Sequence, residues 1–289
     1  MRANVPDFRL VAPRTLDGAL HLFSSEPGVW MPFAGGTDLM VLFESGKLQH
    51  RSFVSILQLD ELKGIEVDPD FVRIGALTTY SEIRSNSVLQ AEFPMLCQAA
   101  AETGGIAIQN RGTIGGNIVN GSPAADTPPA LLVYEAELEL VSTQGIRLAP
   151  YLSFHLGYKK MDIRADELVR SIRIPRNLSD WRQYYRKVGT RKAQAISKVC
   201  FAAAALMDGN RIREIRLAMG SVAPTIVRCR HAEQLLFDKR ITTDVISEGR
   251  IALEKDITPI DDIRSTRNYR MLVAGNILED FLESLAVSK

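Results

Sequence analysis

The sequence predicts an α+β chain in two domains, residues 1–176 and 177–289, on three observations. The first half alternates short helical and strand patterns around glycine-rich turns. Asn177 to Asp180 reads as a linker. Beyond it the pattern changes to three antiparallel strands followed by helices.

In order along the chain, Thr15 can cap a helix whose apolar face is Leu16, Ala19, Leu20 and Phe23, ending before Pro27-Gly28. Val29 to Phe33 reads as a buried strand. It runs into Ala34-Gly35-Gly36-Thr37-Asp38, after which Leu39, Met40, Leu42 and Phe43 follow helical spacing. Ser52 to Leu57 is a further strand, and Gly64–Val67 with Phe71–Ala76 reads as a hairpin across Asp68-Pro69-Asp70. Pro94 to Glu102 is a helix with Pro at its start and Gly104-Gly105 at its close. A second glycine-rich stretch, Gly112 to Gly121, precedes a helix beginning near Asp126 and reaching Tyr134. Leu138–Val141 and Leu168–Ile174 complete this half as strands.

In the second half, Trp181–Val188, Ser197–Met207 and Arg211–Met219 read as strands, the last two joined by the hairpin signal Asp208-Gly209-Asn210. Helices follow over Arg228–Phe237, Val245–Leu253 and about Arg267–Leu285, with no internal repeat.

Composition narrows the function classes. With 35 Lys+Arg against 34 Asp+Glu the net charge is +1, which offers no field suited to nucleic acid or an anionic membrane. The basic cluster Arg186, Lys187, Arg191 and Lys192 could still serve one phosphate or one acidic neighbour. Met1 to Leu10 has no signal-peptide pattern, and the longest apolar run, Val199–Met207, is far short of the roughly 20 residues that span a bilayer. A cytoplasmic protein is expected. Cys97, Cys200 and Cys229 are scattered and read as reduced core thiols, unable to supply the roughly four close thiolates of an iron–sulfur cluster.

The chemistry points to the two glycine segments. In Ala34–Asp38, consecutive backbone N–H groups lie where a strand hands over to a helix, and glycine lets a phosphate oxygen approach the main chain. Taken alone, this segment also suits a tight turn in which Asp38 caps the helix. Thr113-Ile114-Gly115-Gly116-Asn117 is a second glycine pair with hydroxyl and amide side chains, and Asp126 follows among Ala and Pro, a carboxylate in need of donors. Two separated glycine loops suit a ligand with a pyrophosphate in its middle. Neither is Gly-x-Gly-x-x-Gly, and Gly-Lys-Ser/Thr is absent, which disfavours a Rossmann dinucleotide fold and a nucleoside triphosphatase.

Pro32–Leu39 and Gly112–Asn117 resemble the two flavin-binding segments of the FAD-carrying medium subunits of molybdenum hydroxylases, the xanthine dehydrogenase and aerobic carbon monoxide dehydrogenase type. Ala218–Thr225, and Asp261–Thr266 followed by Tyr269-Arg270, resemble motifs of that family's C-terminal domain, so the resemblance covers nearly the whole chain. It implies an N-terminal FAD-binding domain of the PCMH type with two lobes (1–176). A C-terminal domain of a three-stranded antiparallel sheet with a helical bundle would follow (177–289). It further implies that Pro32, Phe33, Ala34, Gly35, Gly36, Thr37, Asp38 and Leu39 bind the cofactor, Ala34 through Leu39 holding the pyrophosphate, with Thr113, Ile114, Gly115, Gly116 and Asn117 against the pyrophosphate and flavin. Asp126 would contact FAD hydroxyls, Val169 would make a main-chain flavin contact, and Lys187 would lie near the flavin ring.

The implied activity is electron transfer without substrate chemistry. A molybdopterin-binding large subunit hydroxylates the substrate, a small subunit's 2Fe–2S clusters carry electrons to this FAD, and NAD or another acceptor receives them. Xanthine dehydrogenase-like chemistry on N-heterocycles is the favoured class. His21, His50, His155 and His231 all lie outside the glycine segments, which favours non-covalent FAD. No cysteine-rich insertion lies between Asp126 and Asp180, so no extra cluster and no metal site are expected. The rival readings are a stand-alone FAD oxidoreductase, which needs its own substrate base, and a flavin-free scaffold of the same fold.

Overall fold

The computed structural model describes residues 7–191 and 194–286; Lys192 of the basic cluster, and residues 1–6 of the N-terminal stretch, lie outside them. The chain begins with β1 (Arg9–Val11), α1 (Leu16–Ser25), β2 (Met31–Phe33), α2 (Leu39–Glu44) and β3 (Ser52–Ser55). The three strands form a parallel sheet in the order β1-β3-β2. Thr15 caps α1 as expected, its Oγ1 accepting from the Gly18 N–H at 3.1 Å. Ala19, Leu20 and Phe23 enter a small core with Trp30, Val54 and Ile56. Parallel neighbours need a crossover, and the α1 and α2 connections supply it.

Next come β4 (Ile65–Val67), β5 (Phe71–Gly75), α3 (Tyr80–Ser85), α4 (Ser87–Glu92), α5 (Pro94–Glu102), α6 (Ile106–Gln109), α7 (Ile114–Asn120) and α8 (Pro128–Val133). The strands β6 (Glu137–Ser142), β7 (Gly145–Pro150), β8 (His155–Gly157), β9 (Lys160–Met161) and β10 (Leu168–Pro175) follow. Five of these strands make an antiparallel sheet in the order β4-β5-β10-β6-β7. Before β10, the buried Glu167 carboxylate accepts from the Arg147 Nε at 2.7 Å, the Arg164 backbone N–H at 2.8 Å and the Arg164 guanidinium at 2.7 Å. Burial alone would push its carboxyl up, but the Arg147 and Arg164 donors outweigh it and hold it at about 2.

The second glycine stretch is helical rather than an extended loop. Thr113 caps α7 by accepting from the Gly116 N–H at 3.2 Å, and Gly121 ends the helix in the left-handed region at φ 60°. Glycine is a poor helix former. Packing decides the matter at Gly115, where a Cβ would stand 2.6 Å from the Ala76 Cβ and 2.8 Å from its carbonyl oxygen. The helix predicted from Asp126 is also shorter, so Asp126 precedes α8 instead of starting it.

The remainder comprises β11 (Arg182–Val188), β12 (Val199–Asp208), β13 (Arg211–Gly220), β14 (Val227–Arg228), α9 (Arg230–Leu236), α10 (Thr243–Leu253) and α11 (Arg267–Ala286). The expected three-stranded sheet is four-stranded, in the order β11-β12-β13-β14. The extra strand pairs only Val227 and Arg228 with Met219 and Ala218. Two residues after Pro224 carry no alternation that a sequence can display.

β12 explains its own continuous apolar run, because it is covered on both faces. Cys200, Ala202 and Ala204 face the first half of the molecule, while Val199, Phe201, Ala203 and Ala205 face α9, α10 and α11. The small alanines admit α8, which is buried along its whole length. Burying Leu131, Leu132 and Val133 contributes about 1.5–3 kcal/mol each. Arg228 and Arg216 donate to the Leu132 and Val133 carbonyls at 3.2 and 3.3 Å, closing the end of α8 from the second half.

Candidate functional site

Pro32 and Phe33 are the last residues of β2, held in parallel register with Val54 and Ser55 of β3. The chain then turns through Ala34–Asp38, with Gly36 at φ 75°, into α2. Gly35 is the point of closest approach: a Cβ there would lie 1.9 Å from the Arg111 carbonyl oxygen. The two glycine segments, separated in sequence by some eighty residues, therefore touch. A second link is the Asn120 Nδ2 donating to Asp38 Oδ1 at 3.2 Å. Asp38 occupies the N-cap position of α2, but its side chain makes no cap hydrogen bond.

The backbone donors of the two segments are used differently. Among the described residues, the N–H groups of Gly35, Gly36, Thr37, Asp38 and Leu39 donate to no protein acceptor. By contrast, Ile114 donates to the Thr78 carbonyl (3.0 Å), Gly115 to Ala76 (2.9 Å), Gly116 to Thr113 Oγ1 (3.2 Å) and Asn117 to the Thr113 carbonyl (3.0 Å). Gly35, Gly36, Thr37 and Leu39 are partly buried and Asp38 is exposed, so these donors are open to water or to a ligand. A run of consecutive N–H groups suits the oxygens of a phosphate or pyrophosphate.

Asp126 lies on the same side of the molecule, tied to the second segment through its neighbour: Thr127 Oγ1 donates to Asn117 Oδ1 at 2.7 Å. Both Asp126 carboxylate oxygens are engaged. Lys187 Nζ donates to Oδ2 at 2.8 Å, and Ser197 Oγ to Oδ1 at 2.6 Å. Burial pushes the Asp126 carboxyl up, while Lys187 and Ser197 oppose that shift. Lys187, in β11, is 5% exposed and also donates to the Glu102 carbonyl at 2.7 Å. An ammonium has three N–H donors. Two are thus used, leaving one. Tyr185 adds a hydrogen bond from its hydroxyl to the Asp126 carbonyl at 3.2 Å.

Val169 stands apart from this cluster. It is buried in the core with Ala76 and Ile114, in β10, where a bulge follows it before Ser171. The bulged Arg170 accepts from the Ala76 N–H at 2.9 Å, and Ala76 in turn accepts from Gly115, so Val169 borders the second segment through its scaffold. Ser197 was not singled out in the sequence, where it reads as the first residue of a strand. The strand starts at Val199 instead and leaves Ser197 in the connection. No local pattern signals that role.

Residues 6–177 match the family model described as the FAD binding domain in molybdopterin dehydrogenase, and residues 183–285 match the CO dehydrogenase flavoprotein C-terminal domain. This chain belongs to the FAD-binding medium subunits of the molybdenum hydroxylases. Its relatives agree along most of their length. The xanthine dehydrogenase FAD-binding subunit of Escherichia coli O157:H7 is 33% identical over 89% of this chain and 88% of that protein. The carbon monoxide dehydrogenase medium chain of Hydrogenophaga pseudoflava is 28% identical over 96% of this chain and 97% of its own length. A solved structure of carbon monoxide dehydrogenase from the same organism, lacking the Mo-pyranopterin moiety of its cofactor, superposes with a TM-score of 0.92 at 28% identity, covering 96% of each chain. The molybdenum hydroxylase medium subunit is an oxidoreductase subunit whose cofactor is FAD. The described residues hold no cluster of metal-ligating side chains and no helix long and apolar enough to cross a membrane.

Proposed function

We propose that this chain relays electrons through FAD inside a multi-subunit molybdenum hydroxylase, receiving them from 2Fe–2S clusters of a small partner and delivering them to NAD or another acceptor. FAD supplies the redox chemistry when bound, and the chain supplies its seat. The observation that carries this reading is the run of five unpaired backbone donors, Gly35 to Leu39, which suits the pyrophosphate. The face of Gly116 and the Asn117 amide lie against the cofactor, and Val169 shapes that wall from behind. Asp126 receives the cofactor hydroxyls, sharing its oxygens with Lys187 and Ser197. The remaining N–H of Lys187 would be available to the flavin, and the lysine's charge would favour the electron-rich form. The boundary between the domain that seats FAD and the domain that brings Lys187 lies near residue 176.

The molybdopterin-binding large subunit performs the hydroxylation. A xanthine-type N-heterocycle is the substrate class supported by the 33% identity to a xanthine dehydrogenase FAD-binding subunit. The test is the visible absorption spectrum of the purified full chain, with release and identification of the chromophore. FAD near one per chain, without iron or molybdenum, supports the relay subunit. A colourless chain that does not take up added FAD overturns it. Co-purification of two partners separates the subunit from a stand-alone oxidoreductase.

A further inference from the structure

We propose that Ser197 is a positioning residue of the cofactor site, acting through Asp126 and itself held in place by Arg270. The proposal rests on the reading above, in which Asp126 contacts the cofactor. Ser197 is 1% exposed and its Oγ donates to Asp126 Oδ1 at 2.6 Å. With Lys187 on the other oxygen, the carboxylate has a donor on each side and cannot rotate without losing one.

Ser197 does not lie in a regular element, so something else must fix its backbone. Its carbonyl accepts from the Ser221 hydroxyl at 2.9 Å. The next carbonyl, Lys198, accepts from Arg270 Nη1 at 2.8 Å, and the same Nη1 donates to the Ser221 carbonyl at 2.8 Å. Arg270 Nη2 is anchored in turn on Asp262 Oδ1 at 2.8 Å. The Lys198 N–H closes the base of the connection by donating to the Val188 carbonyl at 2.7 Å. The motifs Ala218–Thr225 and Asp261–Arg270 thereby acquire a purpose. They hold the β11–β12 connection so that Ser197 meets a carboxylate on the other half of the molecule. Arg270 is 4% exposed; its two terminal nitrogens meet three acceptors, while its buried Nε meets none among the described residues. The upward push of burial on the Asp126 carboxyl is consistent with a need for Ser197, since a desolvated carboxylate with a missing donor holds its charge less well.

The test measures the FAD dissociation constant of the full chain by fluorescence titration for wild type, Ser197→Ala, Asp126→Ala and the double variant, with thermal melting as a fold control. Ser197→Ala is expected to weaken FAD binding about 10–100-fold, the range for a hydrogen bond to a charged group. In the Asp126→Ala background it should add nothing, because two residues acting through one contact are not additive. Ser197→Cys, a weaker donor of similar shape, should fall between and carries the test if the alanine variant does not fold. Unchanged FAD affinity in both Ser197 variants beside a weakened Asp126→Ala overturns the role of Ser197 alone. Full additivity in the double variant does the same. Wild-type affinity in Asp126→Ala overturns the assignment of Asp126, and the positioning role with it.

Discussion

Gly35–Leu39 and Ile114–Asn117 are alike in composition, each a glycine pair beside hydroxyl or amide side chains, yet their main chains do different things. Among the described residues, the first segment leaves five consecutive N–H groups without protein acceptors. The second spends its N–H groups on Thr113, Ala76 and Thr78, and its glycine at 115 exists because Ala76 stands too close for a Cβ. Under the proposed function the first segment would offer its donors to FAD, while the second is scaffold whose part in the site would come from the face of Gly116 and the side chains around it. Similar glycine motifs therefore need separate accounts of their hydrogen bonds before a shared role is assigned.

The largest expected effect comes from Lys187→Met, which strips the ion pair from the second segment's side of the site. A buried carboxylate left without its partner costs about 3–5 kcal/mol. The variant should melt earlier and hold FAD at a lower reduction potential, as seen by dye-linked titration. An unchanged potential would mean that the lysine points away from the flavin. Next, Gly35→Ala drives a Cβ against the Arg111 backbone, which cannot yield as a flexible side chain would. It should separate the two segments, cost about 1–3 kcal/mol of stability and abolish FAD retention. Retained flavin in the soluble variant would break the claim that the first segment carries the pyrophosphate.

Gly116→Val sharpens the contrast from the other side. Its Cβ would meet Thr113 Oγ1 at 2.9 Å, disturbing the α7 cap at a cost of about 1 kcal/mol, and would fill the face offered to the cofactor. FAD content should fall to near zero with a small loss of melting temperature. Equal flavin stoichiometry removes this face from the site. A separate prediction concerns pH and the Glu167 carboxylate that precedes β10. Glu167 is held down from 4.5 to about 2, so its contribution is complete above 4.5 and fades as pH falls towards 2. Urea unfolding of wild type and Glu167→Gln should differ most near neutrality and converge as the medium is acidified. A gap that persists at low pH would mean that the charge of Glu167 is not what matters.

Several elements were legible from the sequence because their signals are local. Pro94–Glu102 is a helix over the predicted residues, and Asp208-Gly209-Asn210 joins β12 to β13. The capping box of α3, Thr79 with Glu82, is a local signal of the same kind. α7 and β14 were not legible. Glycines argue against a helix, and two residues are too few to show a strand period. Within the site, Asp126 and Lys187 stood out separately, as a carboxylate among apolar residues and as a lysine in a family motif.

The sequence by itself determined the α+β character, the family and the identity of most groups that converge on the site, since turn chemistry, periodicity and short motifs are written in neighbouring residues. Only the tertiary structure decided that Asp126 and Lys187 are partners, that Ser197 joins them, and that one glycine segment keeps its donors free while the other does not. The physical reason is that a hydrogen bond is fixed by which groups come within about 3 Å of each other. For residues 61 or 71 positions apart, that proximity is set by the packing of β11 on α5 and of β12 on α8, and by nothing adjacent in the chain.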